Sequence, residues 1–191
     1  MHGGRDRRVF DRWGVWDVLP ESERRRWSLE PFESVGPLRF GMRPADVTEA
    51  LGGITKNPQH HTRAALSQDR HGTVKGECWG LGLTFYYGLD ERLRGISVDA
   101  LKGPQVFADG TALVGRVPSE VEQWIIGRTE IREPFSELFY VKLGEPGSAS
   151  LGVVVCVQRT GDRLLTRPVF LPAEGMNAPL DFLPSEVWTT H

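Results

Sequence analysis

The chain has 191 residues, 39% of them hydrophobic and 25% charged, with a formal net charge of −2. That length suits one domain or two small ones packed together. The near-neutral balance argues against a dedicated nucleic-acid binder, which would show a strong basic excess, and no apolar run reaches the ~20 residues of a membrane-spanning helix.

Cys78 and Cys156 are the only cysteines. The charged start, Met1 to Trp13, lacks the apolar stretch of an export signal, so two free thiols in the cytoplasm are expected, with a Cys78–Cys156 disulfide as the alternative. Four of the 23 basic residues are Lys (Lys56, Lys75, Lys102, Lys142). Such an Arg bias, with high Ala, Gly and Val usage, is associated with GC-rich, actinobacterial-type genomes.

Residues 1–35 read as an N-terminal extension. Arg5 to Arg8 and Glu23 to Arg26 flank an aromatic stretch in which Phe10, Trp13 and Trp16 recur every third residue. This spacing predicts a short amphipathic segment docked on the body, and Pro20-Glu21-Ser22-Glu23 reads as the first turn of a short helix. Either the segment is an arm for a partner or nucleic acid, or its Trp residues pack while its Arg residues stay solvated.

The body opens at Gly41-Met42-Arg43-Pro44. Pro44 suits a first helical turn, Asp46 favours the dipole and Gly52-Gly53 would end the helix, predicting helix 44–52. Gly115 to Gly127 repeats Gly41 to Gly53 without a gap at a spacing of 74 residues (41 to 115). Pro118, Val121 and Gly127 fall on Pro44, Val47 and Gly53, which predicts a second helix over 118–126. Each helix is followed by a predicted hairpin: Leu81–Tyr87 with Arg92–Val98, and Leu151–Val157 with Arg163–Val169. Pro168 cannot donate to a ladder, so the last strand is expected at an edge.

Asp109-Gly110 predicts a two-residue hairpin bridging the two units, and Leu138–Leu143 a further strand closed by Gly144 to Ser148. Residues 56–76 read as a long His-bearing loop with a short helix at 62–69. From Pro172 onward the chain reads as an irregular tail pinned by Leu180, Phe182, Leu183 and Trp188. The expected fold is α+β: two related helix-then-antiparallel-hairpin units, 36–110 and 111–191, sharing a mainly antiparallel sheet as one packed body.

Chemistry-bearing motifs are sparse. There is no P-loop, no G-x-S-x-G and no H-E-x-x-H. His60, His61, His71, Glu77 and Cys78 supply metal-ligand types. Of the three histidines only His60 and His61 are close, however, and structural zinc sites use Cys pairs or His pairs at set spacings, so no metal and no cofactor is expected. His60, His71 and Cys78 stand as the candidates if one binds. Cys156 lies in a buried-strand pattern and reads as inert. Strand alternation puts Leu83 and Phe85 on the core face and Tyr86 on the outer face, beside Arg94 of the return strand. Tyr86 and Arg94, with Arg92, are therefore the expected protein-binding surface, unless the Tyr–Arg pair only covers the sheet.

At Gly41-Met42, Asp46-Val47 and Leu51-Gly52, and more loosely at Gly115, Glu120-Val121 and Gly127, the chain resembles the helix-opening signature of the β-lactamase inhibitor protein fold and of small outer-membrane assembly lipoproteins. The resemblance covers about a dozen residues per copy. It implies a tandem helix-plus-sheet architecture whose sheet presents a protein-binding surface, although the chain lacks those families' lipobox and disulfides. The expectation is a non-enzymatic cytoplasmic binding protein of the immunity or inhibitor type, with another protein as partner and the oligomeric state open. The alternative is a small-molecule or metal-binding module using the cleft between units and the His-rich loop. An enzyme with scattered residues is the third reading.

Overall fold

The computed structural model describes residues 14–52, 60–62, 72–132 and 137–190. Among these residues, two mainly antiparallel sheets and three helices make an α+β fold. In chain order, β1 (Arg26–Glu30), β2 (Ser34–Val35) and β3 (Leu38–Arg39) precede α1 (Pro44–Gly52). Then come β4 (His60–Thr62), β5 (Val74–Cys78), β6 (Leu83–Tyr87) and β7 (Leu93–Val98). β8 (Gln105–Ala108) and β9 (Thr111–Ala112) lead to α2 (Pro118–Arg132). It is followed by β10 (Leu138–Lys142), β11 (Glu145–Ser148), β12 (Val153–Thr160), β13 (Arg163–Phe170) and the short α3 (Pro179–Phe182).

The larger sheet has eight strands in the order β10-β11-β12-β13-β7-β6-β5-β4. Each of the two longer helices is thus followed by four strands of this sheet, and the two sets meet where β7 pairs with β13. The smaller sheet, β3-β2-β1-β8-β9, takes strands from both sides of the first set and pairs β1 parallel to β8. The Asp109-Gly110 turn joins β8 to β9 with positive φ at both residues, as a tight hairpin requires.

Both helices open in the same way. Gly41 N–H donates to Leu93 O and Leu93 N–H to Met42 O, each at 2.9 Å, while Gly115 and Arg116 make the same pair of bonds with Thr166 at 2.9 Å. Val47 and Leu51 in α1, like Val121 and Ile125 in α2, are buried in one core. That core also takes Leu83, Phe85 and Tyr87 from β6, Val153 and Val155 from β12, and Trp27, Leu29 and Val106 from the smaller sheet. It lies on what we call the inner face of the eight-stranded sheet.

A second cluster fills the outer face, where Tyr86, Val154, Cys156 and Val169 meet Leu183, Val187 and Trp188 of the tail. The tail is a chain of short turns, held by the buried Arg167, whose guanidinium donates to Val187 O at 2.7 Å and to Ser97 Oγ at 2.7 Å. Lys142 Nζ donates to Trp188 O, and the Arg94 guanidinium stacks on Phe182 at 4.0 Å.

Several expectations are corrected. β13 is central, not an edge strand; its pairing with β7 involves only Val169 and Phe170 and stops at Pro168, the residue with no N–H to give. Gly127 does not end α2, which runs on to Arg132 because Thr129 is buried and Arg128 is fixed by Glu137 and Asp109. The 56–76 loop holds β4 and the start of β5; the helix expected at 62–69 lies outside the described residues, except for the strand residue Thr62. The described part of the N-terminal segment is not a docked accessory: β1 is a sheet strand with Trp27 and Leu29 in the core, and Arg24 is buried rather than solvated.

Candidate functional site

The surface expected to bind a partner is mostly covered. Alternation does send Tyr86 to the face opposite Phe85, but the tail lies over it and Tyr86 is only 4% exposed. Burial pushes its phenol well above the ordinary range, against the pull of the nearby Arg167. Arg94 is half-buried against Phe182, and Arg92, although exposed, donates from Nη1 to Gly41 O at 2.9 Å. The three residues do not form one open patch. The tail's apolar residues are what an outward-facing Tyr needs to be buried, and they come from a segment with no strand or helix periodicity.

What remains open is one end of the outer face. A groove of about 300 Å³ is lined by Val15, Glu77, Trp79, Thr84, Asp99 and Lys102, among others. Glu77 and Thr84 are cross-strand partners on β5 and β6 and alternate away from the buried Cys78 and Phe85. Trp79, in the single 3-10 turn between those strands, is 68% exposed. Val15 is 79% exposed and the adjacent Trp16 55%. Elsewhere among the described residues, exposed large apolar side chains such as Leu89, Leu143 and Leu164 stand singly at or beside hairpin turns.

The walls of the groove are rigidly tied. Asp99 Oδ1 accepts from the backbone N–H of Leu101 (2.9 Å) and Lys102 (2.8 Å), and Oδ2 accepts from Gln158 Nε2 at 2.7 Å. Gln158 Oε1 in turn accepts from Ala100 N–H at 2.8 Å. Beneath this loop the Arg24 guanidinium donates to Gly103 O and Ala100 O, both at 2.6 Å. Burial lowers the Arg24 pKa from its ordinary value, against the pull of Glu21 and Asp99. Leu19 N–H bonds Leu101 O at 2.7 Å and Thr160 Oγ1 donates to Trp16 O at 2.8 Å, which fixes the segment carrying Val15.

The electrostatics of the groove centre on Glu77. Its Oε1 lies 2.7 Å from Lys75 Nζ, which also faces Glu186 of the tail at 3.8 Å. Its other oxygen, Oε2, is buried without a hydrogen-bond partner among the described residues. A buried carboxylate oxygen left without a donor costs roughly 1–3 kcal/mol.

The metal candidates do not converge. Cys78 is a buried free thiol, and burial raises its pKa against a bond from the Leu81 backbone. The His60 backbone pairs with Cys78 in the ladder, but the His60 side chain and all of His71 lie outside the described residues. Among the described residues no group of three His, Cys, Asp or Glu side chains gathers as a metal site would, and no helix is long and apolar enough to cross a membrane.

Trp79, Asp99 and Lys102 were not singled out from the sequence. The one available signal was a Trp inside Trp79-Gly80-Leu81-Gly82, where turn chemistry calls for small or polar residues. Searches against protein-family models, curated proteins and solved structures found no match to the chain.

Proposed function

We propose that this chain is a non-enzymatic protein-binding module of the immunity or inhibitor type, and that its partner docks at the Trp79 groove rather than across the broad sheet face. The observation that carries the reading is the exposure of Trp79 and Val15 on the walls of one rigid concavity, with the exposed Trp16 next to Val15 in the chain. Trp is the residue most enriched at the energetic centres of protein interfaces, and walls held in place before contact reduce the ordering cost of binding. The two buried free thiols lie on opposite faces of the sheet, which supports a reducing, cytoplasmic setting.

We read the two helix-plus-four-strand sets as copies of one unit. Leu93 and Thr166 make the same bonds to the helix openings, 73 residues apart (93 to 166). The same shift carries Ser97 to Phe170 and Ile96 to Val169, so the junction pairs Ser97–Val169 and Ile96–Phe170 exchange with one another. A two-fold relation between β7 and β13 requires that exchange.

The test is photo-cross-linking in the source organism with a benzophenone amino acid at position 79, and at the isolated exposed position 89 as control. The expected result is one defined adduct from position 79. That protein, once purified, should bind W79A at least about tenfold more weakly than wild type, a loss of ~1.4 kcal/mol. Identical adducts from both positions, or undiminished binding by W79A, would overturn the reading.

A further inference from the structure

The groove's chemistry narrows what the partner presents to it. Asp99 has both carboxylate oxygens engaged by Leu101, Lys102 and Gln158. Glu77 has one oxygen on Lys75 and the other without a donor. Asp99 also has the Arg24 guanidinium near it, whereas Glu77 shares Lys75 with Glu186. The site therefore lacks one hydrogen-bond donor, and that lack falls at Glu77, whose cation is shared.

We infer that the groove receives one basic side chain, a lysine or arginine on an extended loop of the partner protein, with its cation at Glu77 and its aliphatic stem along Trp79. This rests on the reading of the groove as the docking site. A volume of about 300 Å³ accommodates a single long side chain rather than a helix. Lys and Arg carry an apolar stem behind a charged head, and an aromatic ring beside the cation adds a cation–π attraction. An acidic loop would bring a further carboxylate to Glu77 and Glu186, which already share one lysine. A neutral apolar loop would leave Glu77 Oε2 buried without a donor.

The test follows the backbone amide resonances of Glu77 and Thr84 in the full-length protein. It is titrated with acetyl-Gly-Arg-Gly-amide, with the Lys equivalent, and with the citrulline equivalent, which keeps the shape of Arg without its charge. Saturable shifts are expected for the Arg and Lys peptides, with the citrulline peptide about tenfold weaker. E77Q is expected to lower the Arg-peptide affinity by a similar factor. W79A removes an exposed side chain, so it is expected to keep the wild-type melting profile and still weaken binding; it stands in for E77Q should that variant misfold. Equal binding of the Arg and citrulline peptides, or absence of saturable shifts at Glu77 and Thr84, overturns the inference. If the cross-linked partner still depends on Trp79 in that case, only the basic side chain is wrong. If the partner ignores Trp79, the docking site itself is wrong.

Discussion

The two faces of the eight-stranded sheet are buried by different means. The inner face is covered by α1, α2 and the smaller sheet, with apolar side chains at regular spacing meeting in one large cluster. The outer face is covered by an irregular tail whose few apolar residues are held in place by donors reaching its backbone carbonyls, chiefly Arg167 and Lys142. Regular elements bring their own hydrogen bonds and need only packing to dock, whereas an irregular cover must have its carbonyls satisfied by the surface beneath it. The inner cover should therefore fail with the whole fold, and the outer cover should be able to fail first.

The largest effect that would expose this difference is loss of a large core side chain. Phe85 is fully buried on the inner face and packs near Tyr87, with ring centroids 6.5 Å apart. Phe85→Ala is expected to cost about 3–5 kcal/mol in urea-induced unfolding. Leu183→Ala, its counterpart in the tail, should cost less, because the irregular cover can settle into the space. A Leu183→Ala loss equal to that of Phe85→Ala would show that the tail is an integral part of the core.

Arg167 offers a sharper test, since it joins the tail to the sheet. It is 5% exposed, and Arg167→Met removes charged donors from two carbonyls and from Ser97, at an expected cost of about 2 kcal/mol. Burial pushes the Cys156 thiol up to about 12 and keeps it inert beneath the tail. In Arg167→Met, thiol labelling read by mass spectrometry should reach Cys156 well before Cys78, which lies in the inner core. Simultaneous labelling of both cysteines would mean that tail and body open together.

The same contrast explains what could be read from the sequence. Helix openings were legible because Gly, Pro and Val recur at fixed offsets with direct physical roles, and the β6–β7 and β12–β13 hairpins because β-branched and aromatic runs flank polar turns. β5 (Val-Lys-Gly-Glu-Cys) and β11 (Glu-Pro-Gly-Ser) were illegible: each carries Gly and charge, β11 also carries Pro, and their strand character comes from neighbours already in place. Phe139 packs where a Cβ on Gly147 would lie, so that glycine marks a close approach and not the turn it suggested. For the binding site, alternation correctly gave the direction of Tyr86. Alternation says nothing about what lies above a side chain, and the tail that covers Tyr86 is 85 residues or more away in sequence (86 to 171). Trp79 was hidden for the opposite reason, since nothing local marks a turn residue as part of a groove wall.

On the inner side, one polar lock stands apart from the apolar packing. Glu137 accepts bonds from Ser150, Ser148 (3.0 Å) and Arg128 Nε (3.0 Å), and Arg128 also reaches Asp109. Burial alone would raise the Glu137 pKa, but these bonds outweigh it and lower the value. A carboxyl whose folded pKa is depressed contributes stability above its unfolded pKa and loses that contribution as pH falls through the folded value. Wild-type stability should therefore decline through this group below about pH 4, the ordinary carboxylate range. Glu137→Gln should lower stability by roughly 1–2 kcal/mol at neutral pH and flatten that decline. A pH profile with the same slope in both proteins would remove Glu137 from the account.

The smallest effects separate the two covers by sign. Gly127 lies within α2, where an added Cβ would meet nothing within 4 Å. Because Gly in a helix interior is weaker than Ala, Gly127→Ala should stabilise the protein by about 0.5–1 kcal/mol. Gly175 lies in the tail, and a Cβ there would fall 2.7 Å from Phe182 and 3.3 Å from Leu171. Gly175→Ala should therefore destabilise by about 1 kcal/mol or more, as the tail shifts to make room. If both substitutions move the melting temperature the same way, the tail behaves as a regular element would, and the distinction between the two covers does not hold.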